Sequence, residues 1–170
     1  MKALVLFRSH YGNTKQIAEG IAKELGTQDI ETIVQDLRRK LPDLNDIDVS
    51  LIGAPTRMAR VNRKALRVLK RLRKKGFTKK PVAIFDTFGP IPKTPEEMEK
   101  AKKWLYPGAA GLMQKAAKTL GLNVYAETLR CEVLGMKGPL AENELEKAAA
   151  FTKKFISTIG KNRRTEITRL

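Results

Sequence analysis

Short apolar runs alternate with longer amphipathic stretches along the whole chain. Residues 2–7 are a nearly unbroken apolar run, the pattern of a parallel strand buried on both faces. In residues 14–25, Ile17, Ile21 and Leu25 recur every fourth position, which is one face of a helix. Asn13 stands where it could cap that helix, with Gln16 in the capping-box position three residues on. Residues 30–34 predict a second strand, 36–46 a polar connection with room for one short helical turn, and 48–53 a third strand. Val61, Ala65, Val68, Leu69 and Leu72 then form the apolar stripe of a second helix, with Gly76 as its stop. A fourth strand is expected over 81–85. The connection that follows, 86–107, holds a helical turn or two within 95–104. Ala109, Leu112, Met113, Ala116 and Leu120 mark a further helix, 124–133 a fifth strand, and Leu145, Ala149, Thr152, Ile156 and Ile159 the last long helix.

Strands separated by helices require right-handed crossovers, hence a parallel sheet with helices on both faces. Five such strands predict a three-layer, doubly wound α/β sandwich of order 2-1-3-4-5, with ligands outside the carboxyl ends of strands 1 and 3. Two loops are singled out by that rule, 8–14 and 54–60. No linker, repeat or low-complexity stretch divides the chain. One domain over 1–160, with a basic, frayed tail at 161–170, is therefore expected.

With 170 residues, 42% of them hydrophobic, the chain can bury a core without disulfide or metal. Its single cysteine, Cys131, and single histidine, His10, argue against a disulfide framework and a Cys/His metal site. They also suit a reducing, cytoplasmic setting. No apolar run approaches the ~20 residues a membrane span needs, and the N-terminal run is too short for a signal-peptide core. No paired carboxylates or metal-ligand spacing support phosphate transfer, and no side chain is assigned a catalytic role.

The loop Ser9-His10-Tyr11-Gly12-Asn13-Thr14 lies between a buried strand and a helix. A phosphate there meets unpaired N–H groups and the positive end of the helix dipole. Ser9, Asn13 and Thr14 add side-chain donors, and Gly12 allows close backbone approach. An ordinary strand-to-helix turn would show the same spacing. The loop is neither a GxGxxG nor a GxxxxGK[ST] pattern, so dinucleotide and nucleoside-triphosphate readings start weak.

Ser-x-Tyr-Gly-Asn-Thr after a strand resembles the phosphate loop of the flavodoxin-like FMN-binding family, written (S/T)-x-T-G-x-T. Tyr11 in place of the common Thr is similar to the NAD(P)H:quinone oxidoreductase branch. Gly53-Ala54-Pro55-Thr56-Arg57 likewise resembles the G-x-P-T-R segment of that branch. The resemblance implies that Ser9, His10, Gly12, Asn13 and Thr14 surround the FMN phosphate, with Tyr11 giving backbone or ring contacts. Pro55, Thr56, Arg57 and Met58 would then line the flavin ring, with Arg57 stabilising negative charge on it. Thr87, Phe88 and Gly89, after the fourth strand, would contact it too, and Trp104 or Tyr106 could stack on it or anchor the long loop to the core.

Charge adds a separate expectation. There are 34 Lys+Arg against 18 Asp+Glu, a formal net charge of +16. Residues 57–80 contain twelve of the basic residues and no acidic one, with Arg63, Arg67, Lys70 and Lys74 on the helix face opposite the apolar stripe. Such a ridge fits an acidic redox partner met by steered encounter, or nucleic acid. The leading expectation is an FMN-dependent redox protein, either an electron carrier or an NAD(P)H/quinone-type oxidoreductase acting on a small acceptor. The alternative is a cofactor-free binding module of the same fold that uses the basic 57–80 surface.

Overall fold

In the structure, a computed structural model describing residues 1–58 and 60–167 (for 162–167 the helical backbone only), helices separate the strands except at 37–48, a connection that holds no helix. The strands are β1 (Lys2–Phe7), β2 (Glu31–Asp36), β3 (Val49–Pro55), β4 (Val82–Phe88) and β5 (Val124–Glu132). They form one parallel sheet in the order β2-β1-β3-β4-β5. The helices are α1 (Asn13–Gly26), α2 (Arg63–Lys74), α3 (Pro95–Leu105), α4 (Gly108–Thr119) and α5 (Glu144–Ile167).

Two apolar layers sandwich the sheet. Leu4, Leu6, Ile52 and Ile84 face one way and pack under α2 and α4, through Val68, Leu69, Leu72 and Met113. Ala3, Val5, Leu51 and Phe85 face the other way and meet α1 and α5 through Ile17, Ile21, Phe151 and Phe155. Residues adjacent along one central strand therefore serve opposite cores, which is why β1, β3 and the start of β4 read as apolar runs, while the edge strands β2 and β5 are more polar. Gly53 is small for a local reason: a Cβ there would lie 2.1 Å from the Phe85 ring.

Several expected boundaries move. Strand β4 continues to Phe88, because Asp86, Thr87 and Phe88 keep register with Arg130, Cys131 and Glu132. The expected helical turn or two in the long connection is an eleven-residue helix, α3. Thr94 Oγ1 accepts from the Glu97 N–H there, Pro95 opens the helix, acids occupy the first turn and lysines the last. Helix α5 runs to Ile167, so the segment expected as a frayed tail is helical through 161–167; residues 168–170 lie outside the described residues.

The buried stripes of α4 and α5 are also rotated from expectation. In α4, Ala109, Ala110, Met113 and Ala117 are buried, while Leu112, Ala116 and Leu120 are only half-buried. In α5, Ala148, Phe151, Thr152, Phe155 and Ile159 are buried, whereas Leu145 is exposed. Phe151 and Phe155 turn inward because Tyr125 on β5 offers both an aromatic contact, with ring centroids at 5.8 and 5.0 Å.

Candidate functional site

Four loops meet outside the carboxyl end of the sheet and enclose a cleft of about 320 Å³. The loop after β1 begins as Arg8 N–H donates to the Gly53 carbonyl, 2.9 Å, and turns where Ser9 Oγ accepts from the Gly12 N–H, 3.0 Å. Gly12 has φ +93°, a left-handed conformation that glycine adopts without penalty, and it occupies the N-cap of α1. Asn13 is therefore not the cap: it is the first helical residue, and no side chain caps α1. The first-turn N–H groups of α1 consequently retain their capacity for an anion.

The Asn13 and Thr14 side chains, expected as phosphate donors, tie the site together. Asn13 Nδ2 donates to the Lys137 carbonyl, 3.1 Å, across to the loop after β5. The Thr14 and Thr87 hydroxyls are 2.8 Å apart and buried. Within that pair one O–H is consumed and the other remains free to donate. Both threonines line the cleft, so the pair has one O–H proton left to donate to a ligand. Ser9, which accepts through Oγ, likewise keeps its own O–H proton.

The wall after β3 is held from behind. Thr56 N–H donates to the Thr87 carbonyl, 2.8 Å. Its hydroxyl donates to Asp86 Oδ2, 2.7 Å, and accepts from the Ala109 N–H, 2.6 Å. Asp86 is fully buried; it also accepts from the Ala110 N–H and from Arg130 Nε, both at 3.0 Å. The Arg130 guanidinium in turn lies 4.2 Å from the Phe88 ring centroid and 5.3 Å from that of Tyr106. A chain of contacts thus links the start of α4 to two cleft walls, Thr56 and Phe88. Met58, next but one along, has φ +48° and is 75% exposed at the rim.

Ser9, His10, Tyr11, Asn13, Thr14, Pro55, Thr56, Arg57, Met58, Thr87, Phe88 and Gly89 all line this cleft, and Gly12 shapes it from the helix cap. Trp104 and Tyr106 do not line it: Tyr106 packs on Arg130, and Trp104 is half-exposed beneath Lys103. The aromatic rings at the cleft are His10, Tyr11 and Phe88. Sequence reasoning missed the fourth wall, Val133, Gly135 and Met136. Its signal was the cluster Gly135-Met136-Lys137-Gly138-Pro139 directly after a strand, at the same end of the sheet.

Among the described residues no carboxylate lines the cleft, while Arg57 and His10 do. Partial desolvation lowers the His10 pKa below the ordinary imidazole value, and Arg8, Arg57 and Arg38 push it the same way. The field at this mouth is therefore positive and suits an anion. Tyr11, Met58, Phe88 and Met136 supply apolar surface for a flat ring beside the anion-binding loop. Among the described residues no group of three or more His, Cys, Asp or Glu could hold a metal. Cys131 is fully buried; burial and then Glu144 push its thiol pKa well up, so it offers no thiolate. Among the described residues no helix is long and apolar enough to cross a membrane.

Residues 4–165 match the flavodoxin domain. The chain belongs to that family. Solved flavodoxins share the fold at low identity. A flavodoxin from the domain Archaea is 19% identical, with 94% of this chain and 99% of that one covered at a TM-score of 0.73. Flavodoxin 2 from Bacillus cereus is 22% identical, with 93% and 99% covered at 0.72. The flavodiiron core Flv1 from Synechocystis sp. PCC6803 is 14% identical at 0.71, and there the match covers 95% of this chain but 36% of that longer one. No curated protein matches the sequence.

Proposed function

We propose that this flavodoxin-domain protein is an electron carrier that holds FMN in the four-loop cleft. The observation that carries the reading is the arrangement of the cleft: an uncapped helix N-terminus and free hydroxyl protons at one end, apolar and aromatic walls at the other, and no carboxylate along it among the described residues. When bound, FMN supplies reversible electron transfer; the chain supplies binding, orientation and electrostatics. The 9–14 loop grips the phosphate through backbone N–H groups, Ser9 and the Thr14–Thr87 pair. Pro55, Thr56 and Met58 form one wall of the ring site, Phe88 and Gly89 a second, and Val133, Gly135 and Met136 a third. Arg57 stabilises negative charge at the ring.

The test is flavin content. Purified protein should be yellow and release FMN on denaturation; a colourless chain that FMN cannot reconstitute would reject the reading in favour of a cofactor-free binding module. Replacing Arg57 with Ala should lower the flavin midpoint potential, and an unchanged potential removes its assigned role.

A second reading, NAD(P)H- or quinone-type oxidoreduction, is favoured by the Pro55-Thr56-Arg57 wall and the open rim around Met58. Anaerobic mixing of the loaded protein with NADPH separates the two: rapid bleaching of the flavin supports the oxidoreductase, and a persistent yellow colour supports the carrier. The lone buried thiol suits a reducing cytoplasm in either case.

A further inference from the structure

Helices α2 and α4 leave an apolar groove between them, lined by residues that pack on the edge of the core and stay partly exposed. Val61 and Leu66 form one side, Leu112, Ala116 and Leu120 the other, around a volume of about 670 Å³. Leu112 and Ala116, with Leu120 at its C-cap, give α4 a wider apolar face than the sheet covers. Arg60, Lys70 and Lys115 rim the groove. At its Arg60 end the groove lies two residues from Met58 and three from Arg57, both of which line the cofactor cleft.

Charge identifies what fits. Residues 57–80 hold twelve cations and no acid, and residues 100–126 hold five lysines and no acid. The seven cations of α2 form no ion pair among the described residues. Both walls of the groove are thus uniformly positive at their edges and aliphatic at their base. A second copy of this chain, itself at +16, would be repelled. Nucleic acid would leave the aliphatic floor unused, because that floor has no aromatic ring on which a base could stack. A protein segment with apolar residues flanked by carboxylates satisfies both parts of the surface, with the charges steering encounter and the floor giving affinity.

We propose that this groove is the docking surface of an acidic redox partner, which inserts an amphipathic, carboxylate-flanked segment between α2 and α4 and so comes to rest beside the cofactor cleft. The inference rests on the electron-carrier reading above.

The probe is a fluorescent synthetic peptide of about four helical turns, with Leu along one face and Glu on both flanks. Its anisotropy is followed against the full-length, FMN-treated chain at salt concentrations on either side of the point where the Debye length is about 10 Å. The peptide should bind at low salt and weaken as salt rises. The pair Lys70→Glu and Lys115→Glu should weaken it at least about tenfold, and Leu112→Asp, at a half-exposed position, should do so as well.

A poly-Glu peptide of equal charge that binds as tightly would overturn the insertion. So would binding indifferent to both sets of variants. A single-stranded oligonucleotide that binds more tightly and is lost with the same variants would make the face a nucleic-acid site and overturn the proposal. Flavin absorbance, read in every sample, separates the two readings. A chain that loads FMN but ignores the peptide loses only the docking site. A chain that binds the peptide but never takes up FMN loses the redox partner along with the carrier.

Discussion

His10 is the chain's single imidazole and stands among arginines at the rim of the cleft, so its titration reports on the site without ambiguity. Its folded pKa lies below the ordinary value of about 6.5. As pH falls below that value, the unfolded chain takes up a proton that the folded chain refuses, until the lower folded pKa is passed. The His10 contribution to stability is therefore flat above about pH 6.5 and declines through that window. His10→Gln should remove this part of the acid slope in denaturation experiments at several pH values. An anion in the cleft acts the other way: inorganic phosphate or FMN should raise the His10 pKa, read from its imidazole proton resonances. Two glycines make a matched pair at the same scale. Gly138 has φ +107°, and a Cβ there would lie 2.5 Å from Asn13 Oδ1; Gly76 has φ +78° with open space around it. Gly76→Ala should cost about 1–2 kcal/mol from backbone strain alone. Gly138→Ala should cost more, up to about 3 kcal/mol, and should weaken FMN binding because it pushes on the Asn13–Lys137 tie. Urea denaturation of both variants checks the order, and equal losses would mean that the tie contributes nothing.

Among the elements, β4 shows what a single chain's pattern reveals and what it conceals. The five strands, their order and the crossovers are legible because the central strands carry short apolar runs and the helices are periodic. Asp86 and Thr87 hide the end of β4, since a polar pair after an apolar run reads as loop. Pairing on both sides, with Ala54 and Pro55 of β3 and with Arg130 and Cys131 of β5, makes them strand. The same logic explains the missed fourth wall of the cleft: Val133, Gly135 and Met136 carry no side-chain donor to signal a ligand. The stripe in α4 misleads because part of it faces the groove instead of the sheet. Asp86 and Arg130 themselves form an ion pair, 0% and 17% exposed, with Arg130 Nη1 and Nη2 buried and making no hydrogen bond among the described residues. Breaking such a pair on one side strands the other charge and costs about 3–5 kcal/mol. Asp86→Asn should therefore destabilise strongly and loosen Thr56, raising the FMN dissociation constant. Adding Arg130→Met should restore much of the stability but not the FMN affinity, because Thr56 still lacks its carboxylate. Denaturation and flavin titration of the single and double variants read the two effects separately.

Across the whole molecule, the excess of positive charge has a cost the fold must bear. Seven cations on α2 point outward, and across a cleft on its far flank Arg38, Arg39 and Lys40 face Lys64, Arg67 and Arg71. Like charges so placed repel, and the repulsion is relieved by unfolding or by screening. Added sodium chloride should therefore raise the melting temperature, where a chain held together by surface ion pairs would lose stability. Position along α2 sharpens the test. Arg63 sits in the first turn, where no acid offsets the positive end of the helix dipole, while Lys74 sits in the last turn, where a cation is favourable. Arg63→Glu and Lys74→Glu change the net charge equally, so general repulsion predicts the same gain from each. The dipole adds to the gain at 63 and subtracts from it at 74. Arg63→Glu should thus be the more stabilising at low salt, with the difference shrinking as salt is added. Identical shifts would leave net charge as the sole cause. If neither variant is more stable, the ridge carries no strain, and its charge has to be explained by a partner alone.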